Sequence, residues 1–139
     1  MPKNLVEQIP HRPPMHWLQS AQLQPDGSVR AQQTISASQL FIVDGCLTPS
    51  ALIELISQAA ACIPPPAGAS NGPVEGMLVT LRDARIFSTP KVGQRLDIHV
   101  RMIRNLDKMF MCEAAANVGD KPIAAGRFTF VLLESRPSK

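Results

Sequence analysis

The sequence predicts an α+β fold in which a curved antiparallel sheet wraps around one central helix at about residues 49–63. The segment PSALIELISQAAACI (49–63) is apolar on nearly every side, as is typical of a helix enclosed by its own fold. The other apolar segments alternate with polar residues, which is the pattern of strands that are buried on one face. Pro, Gly, Asn and Asp lie between these segments and predict the short turns that join antiparallel strands.

Length and composition predict one domain spanning residues 1–139, since the chain is long enough for one core and too short for two ordinary ones. Hydrophobic residues make up 45% and charged residues 18%, which is typical of a globular protein. Aromatic residues are only 4%, so little material is present for stacking bases, and we expect no nucleic-acid partner. The net charge is +3, but the basic residues are spread along the chain without a block, so solvated surface is the usual explanation and a weak preference for an acidic protein partner is the alternative.

Cysteine usage and hydropathy indicate the compartment. Cys46, Cys62 and Cys112 are far apart and lack the spacing of zinc ligands, so we expect neither disulfides nor a metal site. No stretch approaches the roughly 18 apolar residues of a membrane span, and the N-terminal residues lack the apolar run of a signal peptide. We therefore expect a cytoplasmic protein that makes no membrane contact.

The first half of the chain predicts a hairpin followed by the helix. Segments 17–23 and 29–35 read as two antiparallel strands around the turn-forming residues QPDGS. After a connection over 36–47, Thr48 and Pro49 predict the start of the helix, because a hydroxyl caps free N–H groups and proline suits the first helical position. Three prolines end the helix, and residues 67–76 (AGASNGPVEG) predict a loop.

The second half predicts four more strands. They cover residues 77–87, 94–104, 108–118 and 121–134, with a tight hairpin at Gly119-Asp120. A single helix that is apolar on most sides needs covering on most sides, and one curled antiparallel sheet does this in the hotdog architecture. Such a sheet leaves its edge strands and part of the helix uncovered, which predicts dimerisation edge to edge.

Glu54 is the only charged residue of the helix. It shares a narrow polar stripe with Ser50, Ser57 and Gln58, whose spacing places them on one helical face. A carboxylate in such a helix must be paired, protonated or part of a site. From the helix alone, a structural carboxylate and a functional one stay equally open.

Three stretches of the chain resemble the beta-hydroxyacyl-acyl-carrier-protein dehydratases of the hotdog superfamily. IPHRPPM (9–15) resembles that family's LPHR-x-P motif, LIELISQAAA (52–61) resembles its IEALAQAAG helix, and LRDARIFSTPKVGQRLDIHVRMIR (81–104) resembles its strand pair with a Pro-x-x-Gly-x-x-Leu turn. The order and spacing of the three stretches carry the resemblance. It implies a hotdog fold over most of the chain.

The resemblance also implies a function and a site. Members of the family are homodimers that remove water from a beta-hydroxyacyl thioester in tunnels at the subunit interface, without a metal or organic cofactor. Glu54 falls on the family's Glu, which works with a His from the other subunit. Gln58 matches the Gln of the family's helix and is expected either to orient Glu54 or to pack as a satisfied core amide. Gly45 and Cys46, just before the helix, and Gln58 are expected to contact substrate, although for Cys46 a small buried thiol is the more common explanation.

The chain departs from the family at the histidine before the helix, where Asp44 stands instead. His11 could supply the imidazole, because a branch associated with aryl-polyene-type biosynthesis also carries PHxxPM; alternatively, His11 only fixes the Pro-rich loop. Asp44 could work with Glu54 as a carboxylate pair or in thioester hydrolysis, although Asp-Gly is also a turn dipeptide. A non-catalytic acyl-binding subunit is the third possibility.

The leading hypothesis is a beta-hydroxyacyl thioester dehydratase with Glu54 as the principal acid/base residue and His11 as its partner. We expect its substrate to be carried by an acyl carrier protein or by coenzyme A. We expect a homodimer or a higher oligomer, and no cofactor. A hotdog thioesterase is the runner-up.

Overall fold

The computed structural model describes residues 17–63, 75–106 and 108–133, which contain eight strands and one helix. In chain order these are β1 (Ser20–Leu23), β2 (Val29–Thr34), β3 (Ile42–Val43), β4 (Cys46–Leu47), α1 (Pro49–Ala61), β5 (Glu75–Ile86), β6 (Arg95–Leu106), β7 (Met109–Val118) and β8 (Lys121–Leu133).

The six longer strands form one antiparallel sheet in the order β1-β2-β6-β7-β8-β5, so β1 and β5 are its outermost strands among the described residues. The helix contacts β2, β5, β6 and β7 on one side of this sheet. One antiparallel sheet with one helix against it confirms the predicted fold class. The short strands β3 and β4 pair separately as a hairpin, which the sequence had indicated only as a connection over 36–47.

The helix starts as predicted. The side chain of Thr48 accepts a hydrogen bond from the Ala51 N–H at 3.4 Å, and Pro49 occupies the first helical position. The helix ends at Ala61, two residues before the predicted end. There the Cys62 N–H bonds the Ala59 carbonyl at 3.1 Å, a tightened last turn that commonly terminates helices.

The core lies between the helix and the inner face of the sheet. The buried helical side chains include Leu52, Leu55, Ile56 and Ala59, and the sheet contributes Ile98, Val100, Cys112, Ala114 and Phe128. Along β6, Leu96, Ile98 and Val100 are buried, whereas the alternate residues between Arg95 and Arg101 are exposed or half-buried. This alternation is the one that the sequence predicts.

Most strand boundaries agree with the predicted ones to within two residues. The exception is β1, which starts at Ser20 rather than at 17; the main-chain N–H of Trp17 donates to the side chain of Gln58 on the helix. Strand β5 starts at Glu75, inside the predicted loop 67–76, and the rest of that loop lies outside the described residues. The motif 9–15 also lies outside them. Of the described part of the chain, only α1 is helical, and its 13 residues are too few to cross a bilayer.

Candidate active site

Glu54 lies on the face of α1 that its own chain covers least. It is half-buried, as are Ile53, Ser57 and Ala61, whose spacing puts all four side chains on one side of the helix. The opposite side carries the fully buried leucines and alanines of the core. The Glu54 face is thus the part of the helix that a hotdog sheet is predicted to leave uncovered.

Gln58 connects Glu54 to the start of the described chain. Its side chain is 0% exposed, its Nε2 donates to Glu54 Oε1 at 3.2 Å, and its Oε1 accepts the main-chain N–H of Trp17 at 3.0 Å. The N–H of Trp17 can only donate and an ionised carboxylate can only accept, so the two bonds together define which way the amide points. This arrangement orients the Glu54 carboxylate.

A two-residue turn holds Asp44 and Gly45 just before the helix. Their φ angles are 52° and 77°, and they join Val43 of β3 to Cys46 of β4. Positive φ at both central residues defines the hairpin turn that favours Asp-Gly and Asn-Gly. Asp44 is exposed, and within the described residues its carboxylate makes no hydrogen bond or ion pair.

The hairpin is anchored to the loop before β6 and to the helix start. The Gly45 carbonyl accepts the Val92 N–H at 2.9 Å, and the Leu47 N–H donates to the Pro90 carbonyl at 2.9 Å. Thr48, the helix cap, donates its N–H to the carbonyl of Phe41 at 3.0 Å. The two turn residues are therefore positioned rigidly at the N-terminus of the helix.

The structure brings together some of the predicted site residues and separates others. Glu54 and Gln58 are hydrogen-bonded, whereas Asp44 and Gly45 form the turn ahead of the helix and Cys46 is half-buried beside it. His11 lies outside the described residues. Within the described ranges, no group of three or more His, Cys, Asp or Glu side chains is arranged as a metal site would require.

Two features of the site were not predicted. Trp17 contributes its main-chain N–H across 41 positions of sequence, and no local pattern signals such a contact. Ser57 stands where the family's helix motif has Ala, and its Oγ is buried without a hydrogen-bond partner among the described residues. That substitution was visible in the sequence, but the lack of a partner was not.

The buried cysteines should be inert. Burial raises the pKa of the Cys62 and Cys112 thiols to about 12, so at pH 8 only about one in ten thousand of them is ionised. We expect iodoacetamide to label the native protein at Cys46, which is half-buried, and to leave the other two unmodified until urea is added. Peptide mass spectrometry checks this. Labelling of the native Cys46→Ser variant would contradict it.

One antiparallel sheet packed against one helix defines a protein of the hotdog fold. A protein-family model described as ApeP-like, ApeP dehydratase, matches residues 3–134. The chain therefore belongs to the ApeP-like dehydratase family. The predicted dehydratase resemblance and dehydratase-like function are thereby confirmed.

Individual proteins agree with this assignment. The chain is 25% identical over 138 residues to the 3-hydroxyacyl-[acyl-carrier-protein] dehydratase FabZ of Pediococcus pentosaceus, covering 92% of this chain and 89% of that one. Among solved structures, the dehydratase heterocomplex ApeI:P from Xenorhabdus doucetiae matches with a TM-score of 0.80 and 21% identity, over 96% of this chain and 93% of that one. A hypothetical thioesterase from Streptococcus pneumoniae, solved with coenzyme A, matches with a TM-score of 0.65 and 13% identity, over 84% and 87%. Both structural matches show the shared fold.

Proposed function

We propose that this protein removes water from a beta-hydroxyacyl thioester, with Glu54 as the principal acid/base residue. The observation that supports this most directly is the half-buried Glu54 carboxylate, held by the Gln58 amide at 3.2 Å on the incompletely covered face of the helix. The named FabZ relative acts on acyl-carrier-protein thioesters, and we propose the same carrier here. We also propose a cytoplasmic location.

The reaction needs a base and an acid near one substrate. A proton leaves the carbon next to the thioester carbonyl, the bond to the beta-hydroxyl breaks, and that hydroxyl takes up a proton and departs as water. A positioned carboxylate and an imidazole can share these transfers, each worth roughly 10²- to 10⁴-fold in rate. In the proposed mechanism, the free N–H groups at the start of α1 polarise the thioester carbonyl and so acidify the proton to be removed.

We propose His11 as the partner of Glu54. It precedes Trp17 by six positions, which an extended chain spans in at most about 20 Å. Trp17 is itself bonded to Gln58, one turn from the carboxylate. The length of the connecting chain therefore allows His11 to reach the Glu54 face, and we propose that it does so in its own subunit or in a partner subunit. Asp44, in contrast, already has a role in the turn, where its left-handed backbone is required.

The choice of partner can be tested with two variants. We expect His11→Asn to lower turnover by about 10²-fold or more, since it removes a general acid or base. Asp44→Asn should leave turnover nearly unchanged, because Asn also tolerates a positive φ and keeps the hairpin. Turnover is measured by mass spectrometry as loss of water from a beta-hydroxyacyl carrier protein. The reverse ranking would assign the role to Asp44, and release of free thiol would indicate the runner-up thioesterase.

The active assembly is proposed to contain two hotdog subunits. The Glu54 face of the helix is only half-buried, and β5 is an outermost strand of the described sheet, which favours pairing with a second subunit, in a homodimer or a higher oligomer. A second candidate function is a non-catalytic subunit of a heterocomplex. Two observations favour it: the ApeI:P neighbour is a heterocomplex, and Asp44 replaces the family's histidine. Turnover by the purified chain alone would exclude this candidate, whereas turnover only after co-expression with a second hotdog protein would support it.

A further inference from the structure

A groove of about 450 Å³ lies on the outer face of the sheet, away from the helix. Its walls are the charged or polar side chains of Asp83, His99, Arg101, Glu113 and Arg127. Its floor is made of small residues, because Ala115 and Ala125 face each other across β7 and β8. None of these residues belongs to the Glu54 site.

Strand register gathers positive charge around this floor. One row across the sheet runs Arg30, His99, Ala115, Ala125 and Arg85, and the neighbouring row runs Arg101, Glu113, Arg127 and Arg82. Arg101 and Arg127 line the groove with the carboxylates of Glu113 and Asp83, and Arg30, Arg82 and Arg85 lie further along the same two rows. Against these five arginines stand four carboxylates, because Asp26 and Asp97 lie close to His99. Arg101 forms an ion pair with Glu113 at 3.4 Å, but the two side chains are 63% and 50% exposed, so the pair contributes little free energy and Arg101 can exchange it for a ligand. An anion bound there would gain from the surplus.

His99 is held in a fixed orientation at the edge of the groove. Its Nε2 lies 2.8 Å from the Oγ of Ser28, a residue that is 1% exposed. The Ser28 hydroxyl also lies 2.6 Å from Asp26 Oδ1, and its hydrogen bond lowers the pKa of the Asp26 carboxyl. Because the serine proton goes to the carboxylate, the serine oxygen accepts from Nε2–H of His99. This leaves Nδ1, which has no partner among the described residues, for a ligand.

Asp83 brings an acceptor to the same groove. It lies within an irregular stretch of β5, between Arg82 and Arg85, with a φ of 52°. Such bulges turn a side chain away from the side that the regular alternation gives it. Here they leave Asp83 lining the groove. A ligand with a hydroxyl group next to its anionic group matches these walls better than a bare anion does.

We propose that this groove binds a small hydroxylated anion: Arg101 and Arg127 bind its phosphate or carboxylate group, and Nδ1 of His99 accepts a hydrogen bond from its adjacent hydroxyl group. Guanidinium groups bind such oxyanions with charge-assisted and often paired hydrogen bonds. The floor carries no aromatic side chain, so a stacked base is not the expected part of the ligand. The site is separate from the dehydration chemistry, and its occupancy does not depend on that proposal.

Calorimetric titration of the full chain with glycerol phosphate and with malate, at constant ionic strength, tests the proposal and separates the phosphate from the carboxylate class. We expect saturable binding, weakened about tenfold or more by Arg127→Gln and by His99→Asn, since each removes a charged or oriented hydrogen bond. The matched control is Arg95→Gln. It loses the same charge from the same face of β6, about 20 Å along the strand from Arg101, and should bind normally.

Two outcomes would overturn the proposal. One is that neither probe saturates the protein at millimolar concentration. The other is that Arg95→Gln weakens binding as much as Arg127→Gln does, which would mean that net charge alone explains the binding. Circular dichroism checks that each variant is folded, and Arg101→Gln replaces Arg127→Gln if the latter does not fold. Glu54→Gln should bind both probes like the unaltered chain, so a failure of the proposed dehydration does not affect this test.

Discussion

Glu54→Gln is expected to reduce dehydration of a beta-hydroxyacyl carrier protein by about 10²- to 10⁴-fold while the protein stays folded. The substitution keeps the volume of the side chain, and the new amide oxygen can still accept the 3.2 Å hydrogen bond from Gln58 Nε2. What it removes is the capacity to take or give a proton. The effect should therefore appear mainly in kcat, with little change in substrate binding or in the free energy of unfolding.

The matched control for this prediction is Asp120→Asn, which also replaces a carboxylate by its amide. Asp120 is exposed in the turn between β7 and β8, on no surface that we assign to a ligand. We expect its turnover to equal that of the unaltered chain. If Glu54→Gln retains full activity in the same assay, Glu54 is a structural carboxylate and the proposed mechanism is wrong.

Local sequence signals were sufficient for most of the fold. Thr48 and Pro49 mark the helix start because a cap and a first-turn proline act through their immediate neighbours. Gly119-Asp120 marks the β7–β8 hairpin for the same reason. The β3–β4 hairpin was missed, since strands of two residues are too short to show an alternation.

The contacts between site residues were predictable only where they follow from helical spacing. Glu54 and Gln58 are four residues apart on one helix, so their contact follows from periodicity. The bond from the Trp17 N–H to Gln58 joins residues 41 positions apart through one backbone group, and no side-chain pattern encodes that. The outer groove depends on the register of several strands and on an irregularity in β5, which composition and alternation do not reveal.

Gln58→Leu is expected to lower both stability and turnover. Leucine fills a similar volume but leaves the buried N–H of Trp17 without an acceptor, which costs about 1–3 kcal/mol in the free energy of unfolding. It also removes the amide that orients Glu54, so turnover should fall in the fraction of protein that stays folded. Urea unfolding followed by circular dichroism measures the first effect, and the carrier-protein assay measures the second.

A second buried glutamine provides the comparison. Gln33 is 5% exposed, yet among the described residues its Oε1 has no partner and its Nε2 makes only a long 3.4 Å contact with the Thr34 carbonyl. Replacing it with leucine removes an unsatisfied polar atom, so Gln33→Leu should be close to neutral or slightly stabilising. If Gln58→Leu and Gln33→Leu lower the free energy of unfolding equally, the cost comes from replacing a buried amide and not from the two hydrogen bonds of Gln58. Gln58 would then be a packing residue, and the orientation of Glu54 would need another cause.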